Sequence, residues 1–500
     1  MENVYILAHD VGTSGIKTSI VTRDASEIDS MTFVYPTLTP RDGWAEQEPE
    51  QWWRGVVQNT RNLAEKHASI AAKIMGIGVS GHMLGCVAVD INGNPLGNSL
   101  IHSDSRAINQ CKAISSLIGK AEMYRITGNI LDPKTTLCKI LWIKQNKPEL
   151  FRKTEKFLQC KDFIVSRLTG NIDSTDLSDA SHAQLLDVCK RIYAAEMLSD
   201  VGISMHQLPA VHQATDIIGG LSRESAKILG LVEGIPVIAG GGDGACANVG
   251  AGISSPGDTY CNLGTTAWIA TLSVEPVIDN EQRIFNILSL DGETSGIFGT
   301  MQTAGRAIEW IMDVVGEKDV AHLNRMITDK PAGSDGLVFL PYLEGERSPI
   351  FDPKARGVFF GLSTAHDRHH LTRAVMEGVT FGLKSILDVF RCFMPISEMA
   401  LIGGGANSEI WRRMIADILQ VRLLSLDVKA ANATSIGVAL AVAVGIGCYN
   451  SLHDAVGNMV RRESNIPDST HSEIYEKNYS IYKSLYLNLK DIFAVRAQTI

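Results

Sequence analysis

The alternation of apolar and polar residues at the start of the chain predicts a β-hairpin. Val4–Asp10 (VYILAHD) has the pattern of a strand, Val11–Ser14 (VGTS) that of a turn, and Gly15–Thr22 (GIKTSIVT) that of a second strand. A later apolar run, Val237–Ala239, predicts a buried strand that ends in three glycines. Both strand ends therefore lead into turns in which functional side chains and backbone groups can be exposed.

Two segments near the end of the chain have the patterns of helices. Ile436–Tyr449 is the longest apolar run, but it is too short to span a bilayer and contains three glycines. It predicts a buried helix. Tyrosines and leucines at helical spacing predict a second helix at Glu473–Arg496, which we expect to pack on the second domain.

The turn of the predicted hairpin carries residues suited to a phosphate group. Thr13 and Ser14 combine hydroxyl groups with successive turn N–H groups, an arrangement that binds anions. Lys17 follows as a nearby cation. Asp10 would repel a bare phosphate but suits a phosphate that carries Mg²⁺. The alternative is a plain hairpin whose small polar residues only stabilise its turn.

The hairpin tip and the strand followed by glycines each have a similar sequence in the second half of the chain. Asn262–Ala267 (NLGTTA) resembles Asp10–Gly15 (DVGTSG) but lacks the carboxylate. Val237–Asp243 (VIAGGGD) and Ala400–Asn407 (ALIGGGAN) share a strand followed by glycines. Two matching pairs in the same order predict two related domains that face a shared cleft, with one hairpin from each domain binding the same phosphate chain. Chance similarity of glycine-rich turns is the alternative.

Asp243 is the candidate general base. The glycines before it allow positive φ angles and the close approach of a ligand. A carboxylate held at the end of a strand can accept a proton from a substrate hydroxyl group. The alternative is a strand-to-helix turn in which Asp243 only caps the helix.

Two other clusters of polar residues are better explained as helix caps. Asp176 and Asp179 lie one turn apart in TDLSDAS, which favours capping over the paired carboxylates of a glycosidase. His366, His369 and His370 (HDRHH) lack the closed ligand set of a zinc site, and we expect a capped, solvated helix start there.

Length, charge and cysteine content narrow the class of protein. A chain of 500 residues is too long for a single hydrophobic core, so we expect two domains. We place them at 1–252 and 253–500, joined near Ser254–Gly257. A net charge of −9 without a long basic run argues against nucleic-acid or acidic-membrane partners. Nine cysteines without a C-x-x-C pair favour a reduced, cytoplasmic protein without structural zinc, and Glu2 stands where an export signal would be positively charged.

Motifs along the whole chain resemble those of one family. The matching segments are Asp10–Lys17, Gly43–Pro49, Thr127–Trp142, Lys161–Gly170, Thr175–Ser181, Gly240–Asp243, Leu340–Gly357, Gly357–Glu377 and Gly403–Asp417. Together they resemble the FGGY carbohydrate kinases, and most closely their xylulokinase branch. The resemblance implies an α/β fold of two actin/hexokinase-like (ribonuclease H-like) domains around a central cleft. It also implies ATP-dependent phosphorylation of a hydroxyl group on a small sugar or polyol, with Mg²⁺.

The resemblance assigns expected roles to individual residues. Asp243 matches the catalytic base, and Asp10 with Asp243 matches the metal site. The positions that match nucleotide- and phosphate-binding residues are Thr13, Ser14, Lys17, Gly264, Thr265, Thr266, Gly305, Glu309, Gly404, Gly405 and Ser408.

The sugar side departs from the pattern of the xylulokinases. The usual G-Q-M-H-G is here Gly81–Gly85 (GHMLG), the usual W-N-D-x-R is His102–Arg106 (HSDSR), and Lys134 stands where an aromatic residue is common. The substrate positions implied by the resemblance are His82, Met83, Leu84, Asp104, Arg106, Lys134 and Asp243. Xylulose, converted to xylulose 5-phosphate, is the expected substrate. L-Xylulose, gluconate or another sugar acid, and an erythritol-like polyol are the alternatives, because polar groups that bind a hydroxyl determine selectivity.

Two functions of other classes are rivals. A non-catalytic sensor of sugar or nucleotide could use the same fold, but the retained Asp10 and Asp243 argue against it. An actin- or Hsp70-like ATPase with a protein client would need a further peptide-binding domain. The only ground for expecting a homodimer is the resemblance to this family.

Overall fold

The computed structural model describes residues 4–328, 330–426, 432–459 and 461–498, and these form a mixed α/β structure. The strands in chain order are β1 (Tyr5–Val11), β2 (Gly15–Thr22), β3 (Glu27–Val34), β4 (Glu46–Gln47), β5 (Ile74–Gly81), β6 (Val87–Val89), β7 (Ser99–Leu100), β8 (Lys156–Leu158), β9 (Thr175–Asp176), β10 (Leu186–Asp187), β11 (Ile192–Tyr193), β12 (Val211–His212), β13 (Ile217–Gly220), β14 (Pro236–Ile238), β15 (Gly241–Gly242), β16 (Thr259–Leu263), β17 (Ala267–Ser273), β18 (Phe285–Leu288), β19 (Ser295–Met301), β20 (Val338–Leu340), β21 (Val358–Phe360), β22 (Glu398–Ile402), β23 (Arg422–Leu426) and β24 (Arg461–Asn465). The α-helices are α1 (Pro49–Lys66), α2 (Ala68–Ala71), α3 (Ile108–Leu117), α4 (Lys120–Thr127), α5 (Thr136–Asn146), α6 (Pro148–Lys153), α7 (Cys160–Thr169), α8 (Leu177–His182), α9 (Ala195–Asp200), α10 (Arg223–Leu229), α11 (Asp243–Gly250), α12 (Gly305–Val315), α13 (Val320–Thr328), α14 (Arg368–Arg391), α15 (Glu409–Leu419), α16 (Ala433–Gly445), α17 (Leu452–Val456) and α18 (Ser472–Arg496).

The chain divides into two compact units. Unit 1 comprises Met1–Pro256, Leu272–Ile297 and Asn432–Met459, and unit 2 comprises the intervening segments Gly257–Thr271 and Phe298–Ala431 together with Val460–Ile500. The first division, after Pro256, lies close to the expected domain boundary after residue 252. Two later segments belong to unit 1, which the sequence analysis did not foresee. The domains 1–252 and 253–500 stay a prediction.

The main sheet of unit 1 brings two carboxylates to one edge. Its strand order is β13-β14-β5-β1-β2-β3, and β15 also pairs with β5. Strands β1 and β15 both run parallel to β5, where Asp10 pairs with Ser80 and Gly242 with Gly81. Because parallel strands end at the same edge of a sheet, Asp10 near the end of β1 and Asp243 directly after β15 lie at the same edge. The predicted first hairpin is confirmed, with strands Tyr5–Val11 and Gly15–Thr22.

The apolar helix α16 packs against α11, the helix that begins with Asp243, and against β1 and β5. Glycine allows this close packing, because a Cβ on Gly250 would lie 1.7 Å from the carbonyl oxygen of Ala433. A Cβ on Gly437 would lie 1.9 Å from the carbonyl oxygen of Cys246. The buried helix predicted from the apolar run is confirmed, and it supports the segment that carries the candidate base from behind.

Unit 2 is built on a sheet in which β16 pairs antiparallel with β17 and parallel with β22. Strands β23 and β24 continue the sheet beyond β22. The C-terminal helix α18 packs on this unit, where the Tyr342 hydroxyl donates a 2.8 Å hydrogen bond to the Tyr482 hydroxyl. The helix predicted at Glu473–Arg496 is confirmed. Within the described residues, no helix has both the length and the apolar character needed to cross a membrane.

The two helix caps expected from the sequence are present. The Asp176 carboxylate accepts the backbone N–H groups of Ser178 and Asp179 at the start of α8. The Asp367 carboxylate accepts those of His369 and His370 at the start of α14. The prediction that both polar clusters form helix caps is therefore confirmed.

Candidate active site

The tip of the first hairpin exposes the residues expected to meet phosphate. Thr13 and Ser14 are exposed, and the turn behind them is held by two side chains. The Tyr35 hydroxyl donates to the Gly12 carbonyl at 2.5 Å, and the Gln47 amide donates to the Thr13 carbonyl at 2.7 Å. Both contacts use carbonyl groups. The Gly12 N–H is used within the turn, where it donates to the Gly15 carbonyl at 3.0 Å. The N–H groups and hydroxyls of Thr13 and Ser14 donate to no group of the described residues and can bind an anion.

The Lys17 side chain is hydrogen-bonded to other residues of unit 1. Its ammonium donates to Glu27 at 2.8 Å and to the Asn432 side chain at 2.5 Å. Asn432 also donates to Glu27, at 3.1 Å, so that the three side chains form a small network. Lys17 remains 19% exposed, and its expected role as a phosphate contact stays a prediction.

Asp10 and Asp243 are half-buried carboxylates that influence each other. Burial raises the pKa of Asp10 to about 6, although the Ser80 hydroxyl, 3.3 Å away, and the charge of Lys17 oppose the shift. Burial, and then the charge of Asp10, raise the pKa of Asp243 to about 7. The Gly244 N–H opposes this shift through a 2.7 Å bond to Asp243 Oδ1. A carboxylate with a pKa near 7 is matched to accepting a proton at neutral pH.

Asp243 is not the cap of its helix. The cap position of α11 belongs to Gly242, and Asp243 is the first helical residue. Its Oδ1 accepts only the adjacent N–H of Gly244 among the hydrogen bonds of the described residues. Asp243 Oδ2 is therefore available for a substrate, and the capping alternative does not account for this residue.

The turn before Asp243 is held by a buried polar chain. The Gly242 N–H donates to Ser178 Oγ at 2.9 Å, and Ser178 Oγ donates to Asp176 Oδ2 at 2.5 Å. Asp176 Oδ1 lies 2.9 Å from the ammonium of Lys161. All of these side chains are buried, so their hydrogen bonds are costly to remove.

Lys161 is surrounded by carboxylates. It contacts Asp162 at 2.5 Å, Asp176 at 2.9 Å and Asp179 at 3.5 Å, and its side chain is fully buried. Burial alone would lower the pKa of Lys161, but the three carboxylates hold it well above its usual value. Burial raises the pKa of Asp179 well above its usual value. The cluster is a charged support beneath the Gly240–Asp243 turn.

Asp10 and Asp243 could together hold a divalent cation. The repulsion that raises the pKa of Asp243 disappears when a cation lies between the two groups. Within the described part of the chain, no group of three or more His, Cys, Asp or Glu side chains could hold a metal. Phosphate oxygens and water would have to complete the coordination, which suits Mg²⁺.

On the expected sugar side, Asp104 and Arg106 are bonded to each other. The Arg106 guanidinium donates to Asp104 at 2.7 Å and to Glu46 at 2.8 Å, and its side chain is fully buried. It also stacks over the ring of Trp44, 3.6 Å from the ring centroid. The Ala45 N–H donates to Asp104 at 2.7 Å. The two residues thus fix the loop that carries Trp44, and their expected contact with substrate stays a prediction.

His82 is a buried, neutral imidazole. Its ring lies 5.5 Å from that of Trp52 and 6.0 Å from that of His102, between centroids. Burial lowers the pKa of His82 to about 3, with the charges of His102 and Lys139 adding to the shift. Among the residues that the structure describes, neither ring nitrogen has a hydrogen-bond partner. A buried imidazole of this kind can bind a hydroxyl group or a water molecule.

Met83 and Leu84 follow His82 in the same loop. Met83 packs on the turn of the candidate base, because a Cβ on Gly242 would lie 2.5 Å from Met83 Cε. Leu84 has a φ of 63°, an uncommon conformation for a side chain of its size. Lys134, in another loop, is half-buried, and its N–H donates to Asp132 at 2.8 Å. Within the described residues, no carboxylate pairs with the Lys134 ammonium.

In unit 2, the second hairpin tip is joined to the start of α12. Thr265 and Thr266 are exposed, as Thr13 and Ser14 are in unit 1. The Gly305 N–H donates to the Gly264 carbonyl at 2.9 Å, and a Cβ on Gly305 would lie 2.6 Å from that oxygen. Four of the expected residues, Gly264, Thr265, Thr266 and Gly305, therefore lie together. Glu309 is exposed one turn further along the helix.

The glycine turn after β22 is the other expected nucleotide-binding element of unit 2. Gly403 has a φ of 101°, and a Cβ there would lie 2.5 Å from the Leu263 carbonyl oxygen. A Cβ on Gly404 would meet nothing within 4 Å, so this position faces open space. Ser408 caps α15, and its hydroxyl also donates to Asn324 at 2.9 Å.

Comparison with known proteins gives consistent matches. The model of the FGGY family of carbohydrate kinases, N-terminal domain, matches residues 5–250, and that of the C-terminal domain matches residues 259–446. The chain is 32% identical to a xylulose kinase of Bacillus subtilis (strain 168) over 98% of both chains.

Solved structures share the fold. A ligand-bound xylulose kinase from Lactobacillus acidophilus has a TM-score of 0.92 and 26% identity, covering 98% of this chain and 99% of that one. A gluconate kinase from the same organism has a TM-score of 0.91 and 26% identity, covering 98% of each chain. The expected two-domain, actin/hexokinase-like α/β fold is confirmed.

Proposed function

The chain belongs to the FGGY family of carbohydrate kinases, and we propose that this sugar kinase phosphorylates D-xylulose to xylulose 5-phosphate with ATP and Mg²⁺. The observation that carries the chemistry is the pair Asp10 and Asp243 at one edge of the unit 1 sheet. The substrate is inferred from the relatives that match over the full chain.

Asp243 is the proposed general base. A sugar hydroxyl oxygen attacks the γ-phosphorus, its proton passes to Asp243 Oδ2, and the bond from the γ-phosphorus to the bridging oxygen breaks to release ADP. Oδ1 keeps its bond to the Gly244 N–H, which holds the carboxylate plane in place. Most of the acceleration in this chemistry comes from positioning and charge stabilisation.

The carboxylates of Asp10 and Asp243 are proposed to hold Mg²⁺. When bound, this ion neutralises charge on the phosphate oxygens. The exposed tip at Thr13 and Ser14 is proposed to bind phosphate oxygens through its N–H and hydroxyl groups. Residues of unit 2 are proposed to hold the nucleotide, namely Gly264, Thr265, Thr266, Gly305, Glu309, Gly404, Gly405 and Ser408.

A sugar acid such as gluconate is the second candidate substrate. The observation that favours it is the half-buried Lys134, whose ammonium pairs with no carboxylate of the described residues. A substrate carboxylate would supply the missing partner. If Lys134 recognises such a group, Lys134→Ala loses activity on gluconate but not on D-xylulose, whereas the exposed Lys120→Ala changes neither.

A coupled ADP-release assay over D-xylulose, L-xylulose, gluconate and erythritol tests the function, with Asp243→Ala as the inactive control. We expect the highest kcat/KM on D-xylulose. A higher kcat/KM on another member of the panel overturns the substrate, and no turnover of any of them favours the sensor alternative. A cytoplasmic location and a homodimer stay predictions. The nine cysteines, all within the described residues, are free thiols, which fits a reducing compartment.

A further inference from the structure

Lys139, in the first turns of α5, is a fully buried lysine with an unusual set of partners. Its ammonium donates three hydrogen bonds, to the carbonyl oxygens of Leu84 at 2.7 Å, Ile101 at 2.8 Å and Lys134 at 2.6 Å. A lysine ammonium has three N–H donors, so each of them is used. All three acceptors are backbone groups, and each belongs to a different loop.

These three loops are the ones expected to surround the sugar. We call them the sugar loops: residues 82–86, which carry His82, Met83 and Leu84; residues 101–107, which carry Asp104 and Arg106; and residues 128–135, which carry Lys134. The departures from the xylulokinase motifs occur in the same three loops. One side chain therefore joins the backbones of every loop that carries an expected sugar contact other than Asp243.

A buried charge at this position is expensive without a compensating role. Burial lowers the pKa of Lys139 to about 7, and the nearby charge of Asp104 opposes this shift only in part. No carboxylate of the described residues lies within 4.0 Å of the ammonium, unlike that of Lys161. An apolar residue of similar volume would avoid the cost of burying the charge. It would leave the partly buried carbonyl groups of Leu84 and Lys134 without a donor among the described residues, and the buried Ile101 carbonyl with only the Asp104 N–H.

We propose that Lys139 is a positioning residue that sets the shape of the sugar pocket by joining the three sugar loops. The inference rests on the proposed function and identifies which buried side chain determines sugar affinity. Lys139 does not itself contact substrate, because its three donors are already used by backbone carbonyl groups. It acts through the positions of His82, Leu84 and Lys134.

The proposal separates sugar binding from nucleotide binding. Lys139→Met keeps an unbranched side chain that is one heavy atom shorter, but removes all three donors and the charge. We expect the Kd for D-xylulose, measured by calorimetry, to rise about tenfold or more, because small displacements of binding groups have large effects. The Kd for ADP and the Kd for Mg²⁺-ATP should stay at their wild-type values, since the expected nucleotide-binding residues lie outside the sugar loops.

Lys156→Met is the matched control. Lys156 is another largely buried lysine of unit 1, and its ammonium donates to one backbone carbonyl, that of Leu208, at 3.0 Å and pairs with Asp173. It joins none of the sugar loops. We expect it to lower the melting temperature without raising the Kd for D-xylulose, which separates a general loss of stability from a loss of the sugar pocket.

Lys139→Gln keeps the test decisive if the methionine variant does not fold. Its amide retains two donors, and we expect a smaller rise in the Kd for D-xylulose than for Lys139→Met. Wild-type affinity for the sugar in whichever variant folds overturns the proposal, and so does an equal loss of sugar and ADP affinity. The wild-type protein tests the proposed function separately. If it prefers another member of the substrate panel, that function fails, and the same comparison of Kd values is made with the preferred compound.

Discussion

The backbone N–H of Gly242 donates a 2.9 Å hydrogen bond to Ser178 Oγ, directly before the carboxylate of Asp243. Ser178 in turn donates to Asp176, which is paired with Lys161. The turn that carries the proposed base is therefore fixed by a helix cap more than sixty residues earlier in the chain. The orientation of the base depends on side chains that need not touch the substrate.

Ser178→Ala should lower kcat more than it raises the KM for sugar. The change leaves a buried N–H at Gly242 without an acceptor, at a cost of about 1–3 kcal/mol. We expect kcat to fall about tenfold because the carboxylate of Asp243 is displaced. The control is Ser181→Ala, one turn further along α8, where the hydroxyl donates to the Ser178 carbonyl at 2.8 Å and not to the glycine turn. If both variants lose the same kcat, the Ser178 bond has no special role.

The pH dependence of activity should report Asp243. Its pKa of about 7 predicts that kcat/KM rises about tenfold per pH unit between about pH 6 and pH 7 and levels off above neutrality. Below the Asp10 pKa of about 6, where both carboxylates are protonated, the rise is steeper. Asp10→Asn removes a negative charge that raises this pKa. The midpoint of the residual activity should therefore move to lower pH, and a midpoint that moves upward would contradict the assignment.

Asp243→Asn should stabilise the protein at high pH. The folded pKa of Asp243 lies above its usual value, so the folded state binds more protons than the unfolded state between about pH 4 and pH 7. Stability therefore falls as pH rises through this window. The amide removes the buried charge, and we expect Tm to rise by about 2 °C at pH 8 and to be unchanged at pH 4. A lower Tm at pH 8 would show that the charge stabilises the fold.

Gly404→Ala should weaken nucleotide binding without affecting the fold. An added Cβ meets no atom within 4 Å, so the melting temperature should not change. If a nucleotide lies against this backbone, the methyl group should raise the KM for ATP about tenfold. Gly403→Ala is the contrast, because its φ of 101° and the Leu263 carbonyl make it destabilising. An unchanged KM for ATP in Gly404→Ala would place the nucleotide elsewhere.

Local patterns were sufficient to predict several elements of the structure. Apolar alternation located the second strand of the first hairpin at Gly15–Thr22, as observed. It located the first strand to within one residue at each end. The uninterrupted apolar run predicted the buried helix α16. These features depend on neighbours in sequence, and their prediction needs no knowledge of distant contacts.

The supporting contacts could not be predicted, because they join residues far apart in sequence. The pattern of the chain does not show that Arg106 stacks on Trp44 or that Lys139 reaches three loops. A signal was present at Lys139, which lies between apolar residues in a helical segment, and at Lys161, which lies in a largely apolar helical segment next to Asp162. Lysine is seldom buried without a specific partner, so such positions indicate a polar network even when its members cannot be named.

Phosphoryl transfer by Asp243→Asn tests the central claim most directly. Its rate should be measured in a single turnover with saturating Mg²⁺-ATP and the preferred sugar, after calorimetry has shown that both still bind. The account predicts a rate lower than wild type by about two to four orders of magnitude when both ligands are bound at saturation, with the fold retained. Transfer at the wild-type rate would contradict the assignment of Asp243 as the base.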